Sequence, residues 1–255
     1  MRSVFIQRPV EYHLEAKGEE WCQGDLVKGT LRIKNTGSDI VEIDTLQILL
    51  TYGLSKKIKA GQPDWNLVQQ LQLATSLKLS SQEEHSFEWT ILLSTDCAIT
   101  DQNGGLFLLY GNSKILTTGG KIDLRVKLMP VLQNFLQTFE TQFRFARKYE
   151  KYKDGWTEVK LVPPPNSKEY PTLEQALCNL RIRENELQVQ YEFKVQALGK
   201  VGDAMKAVHK KKTTEQSFKP EQYLQAGGFP NRLFFREQIK DALQDAKPGS
   251  LFNPN

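Results

Sequence analysis

No stretch of this chain approaches the roughly 18 consecutive apolar residues that a membrane-spanning helix requires. Residues 1–9 carry a basic residue but no apolar run of signal-peptide length, so a cytoplasmic protein is expected. Cysteine is scarce: Cys22, Cys97 and Cys178 are scattered and odd in number, which suits neither a disulfide framework nor a metal knuckle. Reduced, partly buried thiols are the expectation. Histidine is as scarce. His13, His85 and His209 each stand alone in sequence, without the neighbouring nucleophile or carboxylate that acid–base or nucleophilic catalysis needs, and no spacing matches a zinc site. The doublets Gly104-Gly105, Gly119-Gly120 and Gly227-Gly228 lack a phosphate-cradling setting and read as hairpin residues in loops. Neither cofactor, metal site nor small-molecule substrate is expected, and the chain reads as no enzyme.

What is present is a globular composition, 39% hydrophobic and 25% charged over 255 residues. That length suits one large domain or two ordinary ones. Charge is unevenly spread. Residues 1–120 hold 11 Lys and Arg against 14 Asp and Glu, a balance of −3, whereas residues 121–255 hold 23 against 16, a balance of +7. The change of sign fits two domains with different surfaces, and neither value is that of a nucleic-acid binder.

The first half reads as strands. In Gly24-Asp25-Leu26-Val27-Lys28-Gly29-Thr30-Leu31-Arg32-Ile33, Val27, Gly29, Leu31 and Ile33 alternate with polar residues, the period of a half-buried strand. Gly29 falls on the apolar side, where a missing side chain lets a facing strand or ring come close. Residues 10–16 form an earlier strand of the same period, 35–39 a hairpin loop, and 41–52 a long return strand whose parity changes between Ile43 and Leu46. A bulge near Asp44 and Thr45 is expected there. Residues 54–65 read as a surface loop. Leu71, Leu73, Leu77 and Leu79, then Phe87, Trp89, Ile91 and Leu93, then 106–110, then Ile122, Leu124, Val126 and Leu128 complete a set of short strands separated by turns. That arrangement argues for a β-sandwich.

The Gly-Asp-x-Val-x-Gly-x-Leu-x-Ile pattern, followed by a turn and a second long strand, resembles the early strand of arrestin-like domains. The strand Phe87-x-Trp89-x-Ile91 follows a polar turn as it does in that family. The loop 94–100 departs from the family pattern, since it has no proline.

Beyond residue 129 the signals change. Pro130 suits the first turn of a helix. Leu132, Phe135, Leu136, Phe139 and Phe143 then form one apolar stripe. A basic, aromatic strand over 145–152 (Arg147, Lys148, Lys151) turns at Asp154-Gly155 into a return strand, which Pro163-Pro164-Pro165 ends. A second hairpin spans 177–195. This order resembles the second domain of bacterial sporulation-control proteins, which are two-domain arrestin-like proteins, and the likeness covers residues 10–198. Residues 199–212 are expected to form a short basic helix or a mobile loop, and 217–224 an extended segment. Asn231 is a fair N-cap for a terminal amphipathic helix carrying Leu233, Phe234, Ile239 and Leu243, stopped by Lys247-Pro248-Gly249.

The fold expected is therefore mainly β, with two β-sandwich domains of arrestin-like architecture. The expected boundaries are 1–128, 129–198 with a Pro-led helix, and 199–255 as a basic segment and helix completing or packing on the second domain. The resemblance implies a non-enzymatic adaptor or regulator that meets protein partners through sheet edges, an interdomain groove or tip loops. The alternative is peripheral contact with an anionic membrane or ligand through the basic second half. Lys206, Lys210, Lys211 and Lys212 are its most concentrated charge and the candidate anionic-contact surface. No nucleic-acid partner is expected.

Overall fold

The computed structural model describes residues 1–114, 116, 119–201 and 204–246, with their side chains except at 198–201, 204–207 and 245. In chain order the elements are β1 (Arg2–Gln7), β2 (Val10–Ala16), β3 (Trp21–Cys22), β4 (Leu26–Asn35), β5 (Val41–Leu54), α1 (Ser55–Lys59), β6 (Trp65–Leu79), β7 (Glu84–Leu92), β8 (Gly104–Asn112), β9 (Gly120–Leu124) and β10 (Val126–Lys127). There follow α2 (Pro130–Gln142), β11 (Ala146–Lys153), β12 (Trp156–Val162), β13 (Leu173–Arg183), β14 (Glu186–Val201), β15 (Ala204–Phe218), α3 (Pro220–Tyr223) and α4 (Arg232–Asp245). Two compact units result, Met1–Leu128 and Met129–Asn255.

In the first unit, sheets of order β1-β2-β4-β7 and β6-β5-β8-β9 each hold four strands, and β3 pairs with β10 in parallel. Alternation sets the faces. Tyr12, Leu14, Val27, Leu31, Ile33, Trp89 and Ile91 of one sheet are buried, as are Ile48, Leu50, Leu108, Tyr110, Ile122 and Leu124 of the other. Gly29 sits where the alternation placed it. A Cβ there would lie 1.9 Å from the Glu15 carbonyl oxygen and 2.4 Å from Cζ2 of Trp89.

The second unit has a single antiparallel sheet of order β11-β12-β13-β14-β15 among its described residues. Leu187, Val189, Tyr191, Phe193 and Val195 of β14 form the buried face. The helices cover it through aromatic contacts: Phe139 of α2 meets Tyr191, Phe135 meets Phe235 of α4, and Phe234 stands edge-on to Phe218 at 5.0 Å. Asn231 caps α4, its side chain accepting from Phe234 N at 3.2 Å. Asp154 and Gly155 both have positive φ, the turn that an Asp-Gly pair favours between twisted strands.

Several expectations are corrected. Arg2–Gln7 is a strand that the reading passed over. The supposed loop over 54–65 holds the short helix α1. The irregularity of β5 falls between Leu46 and Gln47, a little later than expected, and the extra residue, Leu73, belongs to the facing β6. Gly104 and Gly105 open strand β8 and Gly120 opens β9, so these glycines are not loop residues. Over residues 217–224 the strand ends at Phe218, and the extended Lys219 and Leu224 flank the short helix α3 that Pro220 starts. The largest correction concerns 199–212, whose described residues, 199–201 and 204–212, are strand and not helix or loop. Strand β14 runs on to Val201, and β15 returns beside it. The reason is physical: lysines at 206, 210 and 212 share one parity and His209 and Lys211 the other, so no apolar alternation marked a strand. The stop at 247–249 lies outside the described residues.

A basic, unbroken sheet edge

An edge strand leaves a row of N–H and C=O groups without ladder partners, so natural sheets guard their edges. The edges here are guarded by different means. Strand β6 carries no charged residue over 65–77 and exposes Leu67 (58%) and Val68 (49%), which would invite pairing. It is interrupted instead. Its register against β5 shifts twice, and Ser76 has φ of 50°. Strand β11 shifts register between Arg147 and Tyr149.

Edge strands β1, β7 and β9 pair without a shift over six, nine and five residue pairs, and β15 is the longest such edge among the described residues. It pairs with β14 through fifteen consecutive residue pairs, from Leu187↔Phe218 to Val201↔Ala204, without a shift. No described strand is hydrogen-bonded to its outer side. Every second residue of such a strand aims its N–H and C=O outward, so the ladder it offers is straight. Charge supplies its guard, because a strand rich in lysine repels a second copy of itself.

The pairing decides where the candidate lysines stand. Lys212 lies opposite Phe193 and Lys210 opposite Val195, so both belong to the helix-covered side of the sheet, Lys212 half-buried and Lys210 exposed. Lys211 lies opposite Lys194 on the other face, its ammonium 2.8 Å from Glu192. Lys206 is opposite Gly199 in the same ladder, with its side chain outside the described residues. The strand thus brings Lys210 and Lys212 to one side of the edge and Lys211 to the other.

Around Lys211 the face is ordered by charge. Glu174 lies 2.8 Å from the Lys194 ammonium and 3.0 Å from His209 Nδ1. Hydrogen bonds from Lys194 and Gln196 hold its carboxyl below the usual carboxylate range. At the far end the strand is anchored. Tyr191 Oη donates to Gln216 Oε1 at 2.8 Å, and Gln216 Nε2 donates to the Gln238 carbonyl of α4 at 3.2 Å. Burial pushes the Tyr191 hydroxyl well above its ordinary pKa, keeping it a donor. The edge is therefore fixed along its C-terminal half by packing on α4. Sequence reasoning found the lysines but not the edge they decorate.

Comparison with solved structures bears on the whole chain. The Spo0M sporulation control protein of Bacillus subtilis superposes with a TM-score of 0.66, covering 94% of this chain and 100% of that one at 14% identity. The chain has the arrestin-like fold of that sporulation-control protein. A β-glucosidase from Listeria innocua gives a TM-score of 0.29 over 46% of this chain and 16% of its own, at 15% identity. No family profile and no curated protein matches the chain. Among the described residues, no group of three or more His, Cys, Asp or Glu could hold a metal ion, and no helix is long and apolar enough to cross a membrane.

Proposed function

We propose that the protein is a non-enzymatic, arrestin-like adaptor whose second unit captures an extended, acidic segment of a partner protein along β15. The observation that carries this reading is the unbroken register of a fifteen-residue edge strand that is basic on both faces. Strand addition draws affinity from main-chain hydrogen bonds and specificity from alternate side chains. Carboxylates on both parities of an incoming strand would meet Lys210 and Lys212 on one side and Lys211 on the other. A flat anionic bilayer fits less well, because the pleat directs Lys211 away from the other two. The sporulation-control name of the structural neighbour is consistent with a regulatory role, which is part of the proposal.

The test is a labelled peptide of alternating Val and Glu, about ten residues long, set against the same peptide with Lys for Glu. The Glu peptide should bind more tightly, should slow amide exchange across 204–218, and should weaken as the Debye length falls from about 30 Å to about 8 Å with added salt. Reversing Lys210 and Lys212 to Glu should weaken it by up to roughly thirtyfold, the loss of two pairs of up to about 1 kcal/mol each. Equal binding of the two peptides, or unchanged exchange in β15, would reject the reading.

A further inference from the structure

A second cluster lies away from β15, in the helix layer of the same unit. Facing turns of α2 and α4 enclose a cleft of about 120 Å³ with Arg232 and Arg236 on one wall and Asn134, Gln137 and Gln142 on the other. The two arginines are one turn apart on α4, where like charges repel, and Lys240 follows a turn later. Among the described residues, no carboxylate lines the cleft.

Arg232 is held in place by neutral groups. Its Nε and Nη2 both donate to Asn134 Oδ1, at 3.2 and 2.9 Å, and Asn134 Nδ2 is itself tied to the Pro130 carbonyl at 2.9 Å. The guanidinium is thereby oriented without losing its charge to an acid. The nearest carboxylate recorded for Arg236 among the described residues is Glu237, 3.8 Å from its Nε, which is beyond hydrogen-bond length. The hydroxyls of Thr138 and Thr141 donate to backbone carbonyls of α2, so they do not compete as donors. Gln137 Oε1 accepts from Arg232 Nη2 at 3.5 Å, and Gln142 lines the same wall.

We infer that this cleft binds a phosphate group. Two guanidiniums matched to one dianion, with no acid among the described residues of the wall, form the pairing that guanidinium geometry serves best. A phosphate monoester can come from a free metabolite or from a lipid headgroup, and the chemistry recognised is the same. This site shares no residue with the β15 edge, so either proposal can fail without the other.

The test uses the full chain at low ionic strength. Inorganic phosphate should shift the side-chain Nε–Hε resonances of Arg232 and Arg236 saturably, while chloride at equal ionic strength should not. Arg236→Gln should weaken phosphate binding at least tenfold, as should Arg232→Gln provided it melts like wild type. Lys210→Gln should leave it unchanged. Vesicles of phosphatidylcholine with and without phosphatidic acid form the second arm. Phosphate binding without vesicle pelleting supports a soluble phosphate, and selective pelleting with phosphatidic acid that Arg236→Gln abolishes supports a lipid one. Absence of a saturable shift at both arginines and of selective pelleting, or full phosphate affinity in Arg236→Gln, overturns the inference.

Discussion

At the scale of single residues, Gly29 and Trp89 are one device. The indole lies over the glycine, so a methyl group at 29 has no room, and the nearby Glu15 carbonyl belongs to backbone that cannot turn aside. We expect Gly29→Ala to cost about 3 kcal/mol, the upper end for overpacking. Shrinking the ring should not restore it, because the carbonyl remains. Trp89 also buries Nε1 without a hydrogen-bond partner, and an orphaned donor costs about 1–3 kcal/mol. Trp89→Phe removes that cost and should therefore be mild, whereas Trp89→Ala should lose about 3–5 kcal/mol. Urea titrations of the three variants check this, and a large loss in Trp89→Phe would show that the packing of the second ring outweighs the orphaned donor. The thiols make a second prediction. Burial, aided by the Asp96 charge, pushes the Cys97 thiol up to about 12, and burial alone raises Cys178 further. Cys22 is only partly covered, and its burial with the neighbouring Asp25 raises it. Thiolate is the reactive form, so Ellman's reagent at mildly alkaline pH should titrate Cys22 alone in the folded protein and all three thiols after denaturation. Rapid reaction of all three in the native state would contradict this burial.

At the scale of elements, α2 shows why its stripe was readable. Leu132, Phe135, Leu136 and Phe139 are fully buried, while Gln133 and Gln137 are exposed. Phe135→Ala should cost about 3–5 kcal/mol, since its ring packs on Phe139 and Phe235. Gln137→Ala should stay within about 0.5 kcal/mol. Equal melting shifts would mean that the stripe is not what the sheet buries. Elements with one wet and one dry face were legible in this way: β4, β7, β14, α2 and the cap at Asn231 all follow period or cap chemistry. Central strand β8 was legible as an apolar run, because both its faces are covered. Elements without that contrast were not. Strand β1 has no buried residue, and β15 is polar on both faces from His209 to Ser217, so neither carries the signal that burial writes into sequence. The candidate site shared this fate. The lysines could be counted, yet whether they formed a helix face, a loop or a strand edge depended on pairing with β14, a contact that no local pattern encodes. The cleft between α2 and α4 was invisible for the same reason, since it joins residues about a hundred positions apart.

At the scale of the whole chain, the hydrogen-bonded ladders divide cleanly. Both four-stranded sheets and the β3–β10 pair lie within Met1–Leu128, and the five-stranded sheet lies within Met129–Asn255. Charge divides along with them, though less sharply than by halves. The first unit holds 14 Lys and Arg against 15 Asp and Glu, and the second 20 against 15, so the basic excess belongs to the unit that carries β15 and the arginine cleft. A cut after Leu128 would sever no strand pair. It would leave intact the core built from Tyr12, Leu31, Trp89, Leu108 and Tyr110, including the bond from Tyr110 Oη to Ser3 Oγ at 2.8 Å. A domain of that length buries about two-thirds of its unfolded surface, enough for folding alone. We therefore propose Leu128 as a domain boundary and expect the fragment Met1–Leu128 to melt cooperatively with a dispersed amide NMR spectrum. Gly29→Ala should lower its midpoint as it does in the full chain, because every atom that clashes with the added methyl lies inside the fragment. A collapsed spectrum without a cooperative melt would show that this core requires the second unit, and the boundary would then mark only a gap between ladders.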